Sequence, residues 1–229
     1  MSAASVDPRQ RMDFADSPDP AAWIEDRRMA WEPGAGYRVG NEVPRGYAMN
    51  LRVSHRSRPP RDRRLLSLWK QTVASPGRPE VAVLEALVTA FGRAGGTEDT
   101  VCWFAYWRGW GGVLEENLQT LTGRKTWTTA DEERAAFTLG PRDYLLLSGP
   151  LGSVLNLPGL PTPALSPQLW WPEDKRWFVA TEIDFDFSLV GADEGLADAI
   201  LENKEIDVQR VALEDRLDTE EPPSRLHQP

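Results

Sequence analysis

Three carboxylates in the last quarter of the chain are the residues best spaced to do chemistry. Glu182, Asp184 and Asp186 alternate with apolar residues in the segment Trp177–Phe187, and this period of two predicts a β-strand. One face of that strand would carry all three acids, at steps of roughly 6.5–7 Å. Such a row could be a hard-cation site, an acid/base pair or a binding surface for a cationic ligand. It could equally be the solvated outer face of an antiparallel sheet.

Tryptophans are the second group of candidate site residues. The chain has ten of them, and those inside apolar strands are expected to pack in the core. Trp110 lies in a glycine-rich turn, and Trp170 and Trp171 lie in a proline-rich stretch, where a large ring is harder to bury. Because tryptophan rings stack on ligands and anchor partners, we predict that these three contact a ligand or a protein partner.

Several common site types lack the residues they need. The single cysteine, Cys102, lies in an apolar segment and is predicted to be buried and unreactive, and it leaves no second thiol for a disulfide within the chain. A Ser-His-Asp triad would have to use His55, since the other histidine lies near the end of the chain, and there is no nucleophile-elbow motif. Dinucleotide and P-loop motifs are also missing, so no cofactor is predicted.

Bulk composition narrows the partners and the compartment. The net charge of −9 argues against general nucleic-acid binding. No apolar run reaches the length of a membrane span, and the first residues are too polar for a signal peptide. We therefore expect a soluble cytoplasmic protein that binds neither nucleic acid nor membrane. Its oligomeric state stays open.

Periodicity and chain breakers predict the elements that position these residues. They favour an α+β fold with a mostly antiparallel or mixed sheet and helices packed on one face. Helices are expected from Asp19 to about Trp31, at Leu65–Val73, from Pro79 to Gly95, at Leu151–Leu157 and from Asp193 to about Asn203. Strands are expected at Tyr47–His55, Val101–Trp107, Ala135–Leu139, Tyr144–Ser148, Trp177–Phe187 and Ile206–Leu213, with a further hairpin strand beginning at Val113.

The same pattern divides the chain into three parts. Residues 1–16 are polar and without period, which predicts a disordered segment. Residues 17–213 are expected to form a single α+β domain. Residues 214–229 are acidic and contain prolines, and we expect a disordered tail.

Three blocks of the sequence resemble a family of uncharacterised actinobacterial proteins. The most specific block reads LWWPED at 169–174, WFVATEID at 177–184 and then Val190-Gly191. A middle block, CWFA at 102–105, and an early VG…VP…GY pattern from Val39 to Tyr47 resemble the same family. Ala192 stands where the family pattern would have a second glycine, and the arginine-rich stretch after the first strand also departs from it. The resemblance implies a fold and a compartment, and it places Glu182 and Asp184 in the most recognisable block.

Two functions are compatible with these features. The first is a non-enzymatic cytosolic binding or protein-interaction module that uses the tryptophans and the acidic strand; at fold level, immunity proteins of bacterial toxin systems are a comparable kind. The alternative is a carboxylate-dependent, metal-assisted or metal-free hydrolase, with Glu182, Asp184 and Asp186 as ligands or acid/base groups.

Overall fold

A nine-stranded antiparallel sheet forms the centre of the molecule. The computed structural model describes residues 11–32, 34, 36–59, 75–94, 97, 99–156 and 164–218. The strands are β1 (Asp13–Phe14), β2 (Met49–Ser57), β3 (Val101–Trp107), β4 (Ala136–Leu139), β5 (Arg142–Pro150), β6 (Leu169–Pro172), β7 (Trp177–Ala180), β8 (Phe187–Ala192) and β9 (Ile206–Val211). They are ordered β1-β5-β3-β6-β7-β8-β2-β9, and β4 pairs with β5 beside β1. The predicted α+β class with an antiparallel sheet is confirmed.

Six α-helices within the described residues cover the sheet. They are α1 (Ala22–Arg27), α2 (Val39–Glu42), α3 (Val81–Arg93), α4 (Gly112–Thr122), α5 (Thr129–Ala135) and α6 (Glu194–Leu201). The three longest, α3, α4 and α6, contribute to one apolar core with one face of the sheet. The short helices α1 and α2 pack with the opposite face in a second core. No helix in the described part of the chain is both long and apolar enough to cross a membrane.

Strand β3 shows why the sheet is buried on both faces. Cys102, Phe104 and Tyr106 point into the first core, whereas Ala105 points into the second. An apolar run with this alternation is what a central strand between two covered faces requires. The prediction of a doubly covered strand at Val101–Trp107 is therefore confirmed.

Most other predicted elements are present with shifted ends. Helix α3, β2, the β4–β5 hairpin, α6 with its Asp193 cap and β9 all lie where the sequence pattern placed them. The first helix is shorter than expected, because the backbone becomes extended at Arg28. A 3-10 turn, Leu151–Leu155, stands in place of the expected short helix. The predicted helix at Leu65–Val73 lies outside the described residues.

Two predictions about local structure are wrong. The hairpin strand expected from Val113 is helix α4, in which Leu114, Leu118 and Leu121 fall on one buried face at helical spacing. The single strand expected at Trp177–Phe187 is two strands, β7 and β8, paired in a hairpin. Residues 181–186 form the loop between them.

The domain is longer at both ends than the sequence suggested. Residues 1–10 lie outside the described part, but Met12, Phe14 and Ala15 are buried, and β1 pairs with β5. At the other end, Arg216 forms a β-bridge with Arg38, and Leu217 is buried. Met12 and Phe14 are buried in the first core and Ala15 and Leu217 in the second, and these tertiary contacts cannot be seen in the local composition.

Candidate functional site

A cavity of about 720 Å³ opens on the side of the sheet covered by α1 and α2. Three parts of the chain form its wall: the segment from α1 to α2, the β4–β5 turn and the 181–186 loop. Its principal side chains are Arg28, Trp31, Tyr37, Glu42, Arg142, Tyr144, Glu182, Asp184 and Phe185. The cavity has the volume of a small-molecule site.

Arg142 and Glu182 connect two walls of this cavity. Arg142 begins β5, directly after the tight β4–β5 turn, in which Gly140 has φ +58°. Its Nε donates to Glu182 Oε2 at 3.1 Å, and its Nη2 donates to Glu182 Oε1. The same Nη2 lies 3.4 Å from Asp184 Oδ2. A two-pronged pair of this kind fixes the orientation of both groups.

A second arginine–carboxylate pair lies on the α2 side. Arg28 Nη2 is 3.5 Å from Glu42 Oε1, and the Tyr37 hydroxyl donates to the same oxygen. Arg28 Nε donates to the carbonyl oxygen of Asn41. The Asn41 side-chain amide donates to the carbonyl of Met29 at 3.0 Å. This hydrogen bond holds α2 against the segment that follows α1.

Both glutamates are buried: Glu42 is 7% exposed and Glu182 is 8% exposed. Burial raises the pKa of Glu182, and the charge of Glu42 raises it further, while Arg142 opposes the shift. Burial also raises the pKa of Tyr37 and of Tyr144, with Glu42 adding to both shifts. The two phenols therefore stay protonated at neutral pH.

Two polar groups of the cavity wall have no hydrogen-bond partner among the described residues. Both contacts of Glu42 use Oε1, so Oε2 is free of hydrogen bonds to described residues. The Tyr144 side chain is 4% exposed, and its hydroxyl likewise makes no hydrogen bond to a described residue. Neither atom is among the fully buried unpaired ones, so each keeps access to the open space of the cavity and can form a hydrogen bond with a ligand there.

Backbone hydrogen bonds with the turn at Gly77 and with Gln168 position the 181–186 loop. Gly77 N donates to the Phe185 carbonyl at 2.9 Å, and Thr181 N donates to the Gln168 carbonyl at 2.7 Å. Gly77 has φ +68°, and a Cβ there would lie 2.8 Å from Ile183 Cα. Glycine is required at this turn by both its conformation and the close approach of the loop.

The structure brings together two of the three predicted acids. Glu182 and Asp184 share Arg142 and line the cavity, whereas Asp186 is exposed and does not line it. The expected common strand face does not exist, because the acids lie in the loop that follows β7. In this loop the backbone turn, rather than the alternating pleat of a strand, sets the direction of each side chain.

The predicted tryptophan contacts are placed differently from expectation. Trp170 and Trp171 are 1% and 0% exposed in β6, one on each face of the sheet. Trp110 is half-buried, with its ring 5.7 Å from that of Trp107 and 5.6 Å from the Arg78 guanidinium. None of the three lines this cavity. Trp170 and Trp171 are buried because β6 pairs with β3 on one side and with β7 on the other. The prolines around this segment gave no indication of a central strand.

The remaining reactive side chains are structural. Burial raises the pKa of Cys102 to about 12. Burial lowers the pKa of His55 to about 4, and its ring nitrogens lie 3.2 Å from the Ser75 carbonyl and 3.0 Å from Ser188 Oγ. Across the described ranges, no three His, Cys, Asp or Glu side chains are grouped so as to hold a metal ion.

Sequence reasoning missed the partners of the acids. Each of these partners is unremarkable in its local sequence: Arg28, Tyr37, Glu42, Arg142 and Tyr144. They meet only because the segment from α1 to α2, the β4–β5 turn and the 181–186 loop pack around one cavity. No protein-family model, no curated protein and no solved structure matches this chain.

Proposed function

We propose that this chain is a non-enzymatic binding protein of the cytoplasm, and that the cavity beside α1 and α2 holds a small organic ligand. The observation that carries the proposal is a 720 Å³ cavity lined by two polar groups without a hydrogen-bond partner among the described residues, the Tyr144 hydroxyl and Glu42 Oε2, on side chains of residues that are 4% and 7% exposed. Cavities of this volume enclose small molecules, and a few fixed polar groups orient them.

The wall of the cavity is arranged to stay fixed when a ligand enters. Arg142 holds Glu182, and Arg28 with Tyr37 holds Glu42. Side chains that are already immobilised lose little conformational entropy on binding, which favours affinity. A small ligand suits this geometry better than a protein partner with a flat surface does, because the two unpaired groups belong to largely buried residues of the cavity wall.

The test is a fragment screen with a cavity-blocking variant. We expect ligand-observed NMR to detect fragments that bind the wild-type protein and not Ala30→Trp, since exposed Ala30 lines the cavity and an indole there would fill it. Ala22→Trp is the matched control, because Ala22 is exposed on α1 and does not line the cavity. A screen without any fragment sensitive to the Ala30 change would overturn the proposal.

A carboxylate-dependent hydrolase is the second candidate. The observation in its favour is the raised pKa of Glu182, caused by burial and by the charge of Glu42, since a carboxyl that holds a proton more readily than usual is suited to general acid/base catalysis. If this candidate is correct, a panel of nitrophenyl esters and glycosides contains a substrate whose turnover Glu182→Gln abolishes. Ligand binding without turnover favours the binding protein.

A further inference from the structure

We infer that the ligand of this cavity is a planar aromatic cation, such as an aryl amidine or guanidine. The inference rests on the proposed function and names the chemistry of the molecule bound there. Three features of the wall support it: an excess of carboxylates, arginines already engaged, and aromatic rings around the opening.

Carboxylates outnumber cationic groups in the wall. Its ionisable side chains other than tyrosines are the acids Glu25, Glu42, Glu182 and Asp184 and the bases Arg28 and Arg142. Four carboxylates against two guanidinium groups leave a formal surplus of two negative charges. The Asp184 side chain is 75% exposed, so it presents this charge to an approaching cation.

The two arginines are poor sites for an anionic ligand. Arg142 donates to both oxygens of Glu182 and to Asp184, and Arg28 donates to the Asn41 carbonyl and to Glu42. An anion would have to displace these carboxylates, leaving buried Glu182 or Glu42 without its cation. Removing one partner of a buried pair is costly, so anions are disfavoured.

The two unpaired groups of the wall match a ligand that brings N–H donors. Glu42 Oε2 can only accept while the carboxyl is ionised, and the Tyr144 hydroxyl can accept as well as donate. An amidinium or guanidinium carries several N–H groups in one plane and can reach two acceptors together. A neutral ligand would leave the charge surplus uncompensated.

Aromatic side chains favour a flat ring at the opening. Trp31 lines the cavity and is 62% exposed, so its large apolar surface is uncovered in the free protein. Phe185 stacks on Phe187 with ring centroids 4.9 Å apart, and the Tyr37 ring lies 6.0 Å from Phe185. A planar aromatic cation would gain both ring stacking and cation–π attraction here.

Benzamidine, benzamide and benzoate separate the possibilities, because they share one shape and differ in charge. Isothermal titration calorimetry should give benzamidine at least tenfold tighter binding than benzamide and benzoate, with the preference decreasing at high salt. Equal or tighter binding of benzamide or benzoate would overturn the cation assignment and leave the binding function intact. No heat from benzamidine, with fragments still bound in the screen above, would also overturn it.

Two pairs of variants locate the binding. Asp184→Asn should weaken benzamidine at least threefold, and Asp186→Asn, an exposed acid on the same loop outside the cavity, should leave it unchanged. Trp31→Ala should weaken it about fivefold, whereas Val101→Ala, also exposed, should not. Equal effects within each pair would place the cation elsewhere and contradict the inference.

Discussion

Arg142 and Glu182 lie 40 residues apart in the chain, yet two N–H groups of Arg142 reach the two carboxylate oxygens of Glu182. The pair joins the β4–β5 turn to the loop between β7 and β8. It therefore fixes the distance between two walls of the cavity and neutralises a buried carboxylate.

Arg142→Met should destabilise the protein by about 3 kcal/mol, because it leaves the buried Glu182 carboxylate without its cation. The double variant Arg142→Met with Glu182→Gln should recover much of this loss, since no charge then remains to be paired. Urea unfolding of the wild type, Arg142→Met, Glu182→Gln and the double variant measures the coupling free energy between the two side chains. Additive effects would show that the two side chains do not interact.

Tyr144→Phe and Tyr37→Phe each remove one hydroxyl, and we expect different effects on the free energy of unfolding. Because the Tyr144 hydroxyl has no described partner, its loss should change the free energy of unfolding by less than about 0.5 kcal/mol while weakening ligand binding. The Tyr37 hydroxyl donates to buried Glu42, so its loss should cost about 1–3 kcal/mol. Urea unfolding checks the order, and a costlier Tyr144 change would contradict the assignment of a free hydroxyl.

Trp170→Ala should cost about 3–5 kcal/mol of stability, since the ring is buried against Phe91 and Trp177. Trp31→Ala is the control, because its ring is exposed and should change stability by less than about 0.5 kcal/mol. Thermal and urea unfolding compare the two. Similar values would be incompatible with the burial of β6.

Gly77→Ala should destabilise the protein by more than about 1 kcal/mol and also weaken ligand binding, since the added Cβ displaces the loop carrying Glu182. Gly92→Ala in α3 is the matched change: a Cβ there meets nothing within 4 Å, and alanine should stabilise the helix by about 0.5 kcal/mol. Calorimetric titration and unfolding measure both. Unchanged ligand affinity in Gly77→Ala would show that this turn does not position the site.

Because of His55, the free energy of unfolding should decrease as the pH is lowered below 6.5. In the neutral folded state the Ser75 carbonyl can only accept, so Nδ1 carries the proton and Nε2 accepts from Ser188 Oγ. The pKa is about 4 in the fold and 6.5 ordinarily, so below pH 6.5 the unfolded chain gains a proton that the folded chain refuses until about pH 4. The loss over this range is about 3 kcal/mol.

The check is the free energy of unfolding of wild type minus that of His55→Gln, measured from pH 8 to pH 4. This difference should decrease below pH 6.5, because carboxylate titration common to both proteins cancels. A difference independent of pH would mean that the imidazole is protonated equally in both states.

Strong local periodicity predicted its elements well. In α3, Val83, Leu84, Leu87 and Phe91 fall on one buried face, and no other structure satisfies that spacing. The alternation of 177–187 was misleading, because the residues on both sides of a hairpin loop can continue one alternating pattern. The turn-forming residues of the loop are Asp184 and Asp186, and both were assigned to a strand face because they continue the alternation.

Residue patterns along the chain were enough to predict the class of fold, the central strand β3, the helix α3 and the acids of the segment that follows β7. Which side chains those acids meet depends on tertiary packing. Arg142 contacts Glu182, and the charge of Glu42 acts on it, because the antiparallel order of the sheet and the packing of α2 bring distant segments together. Local propensity is a property of neighbouring residues, whereas a cavity is a property of the surfaces left unfilled when all elements have packed.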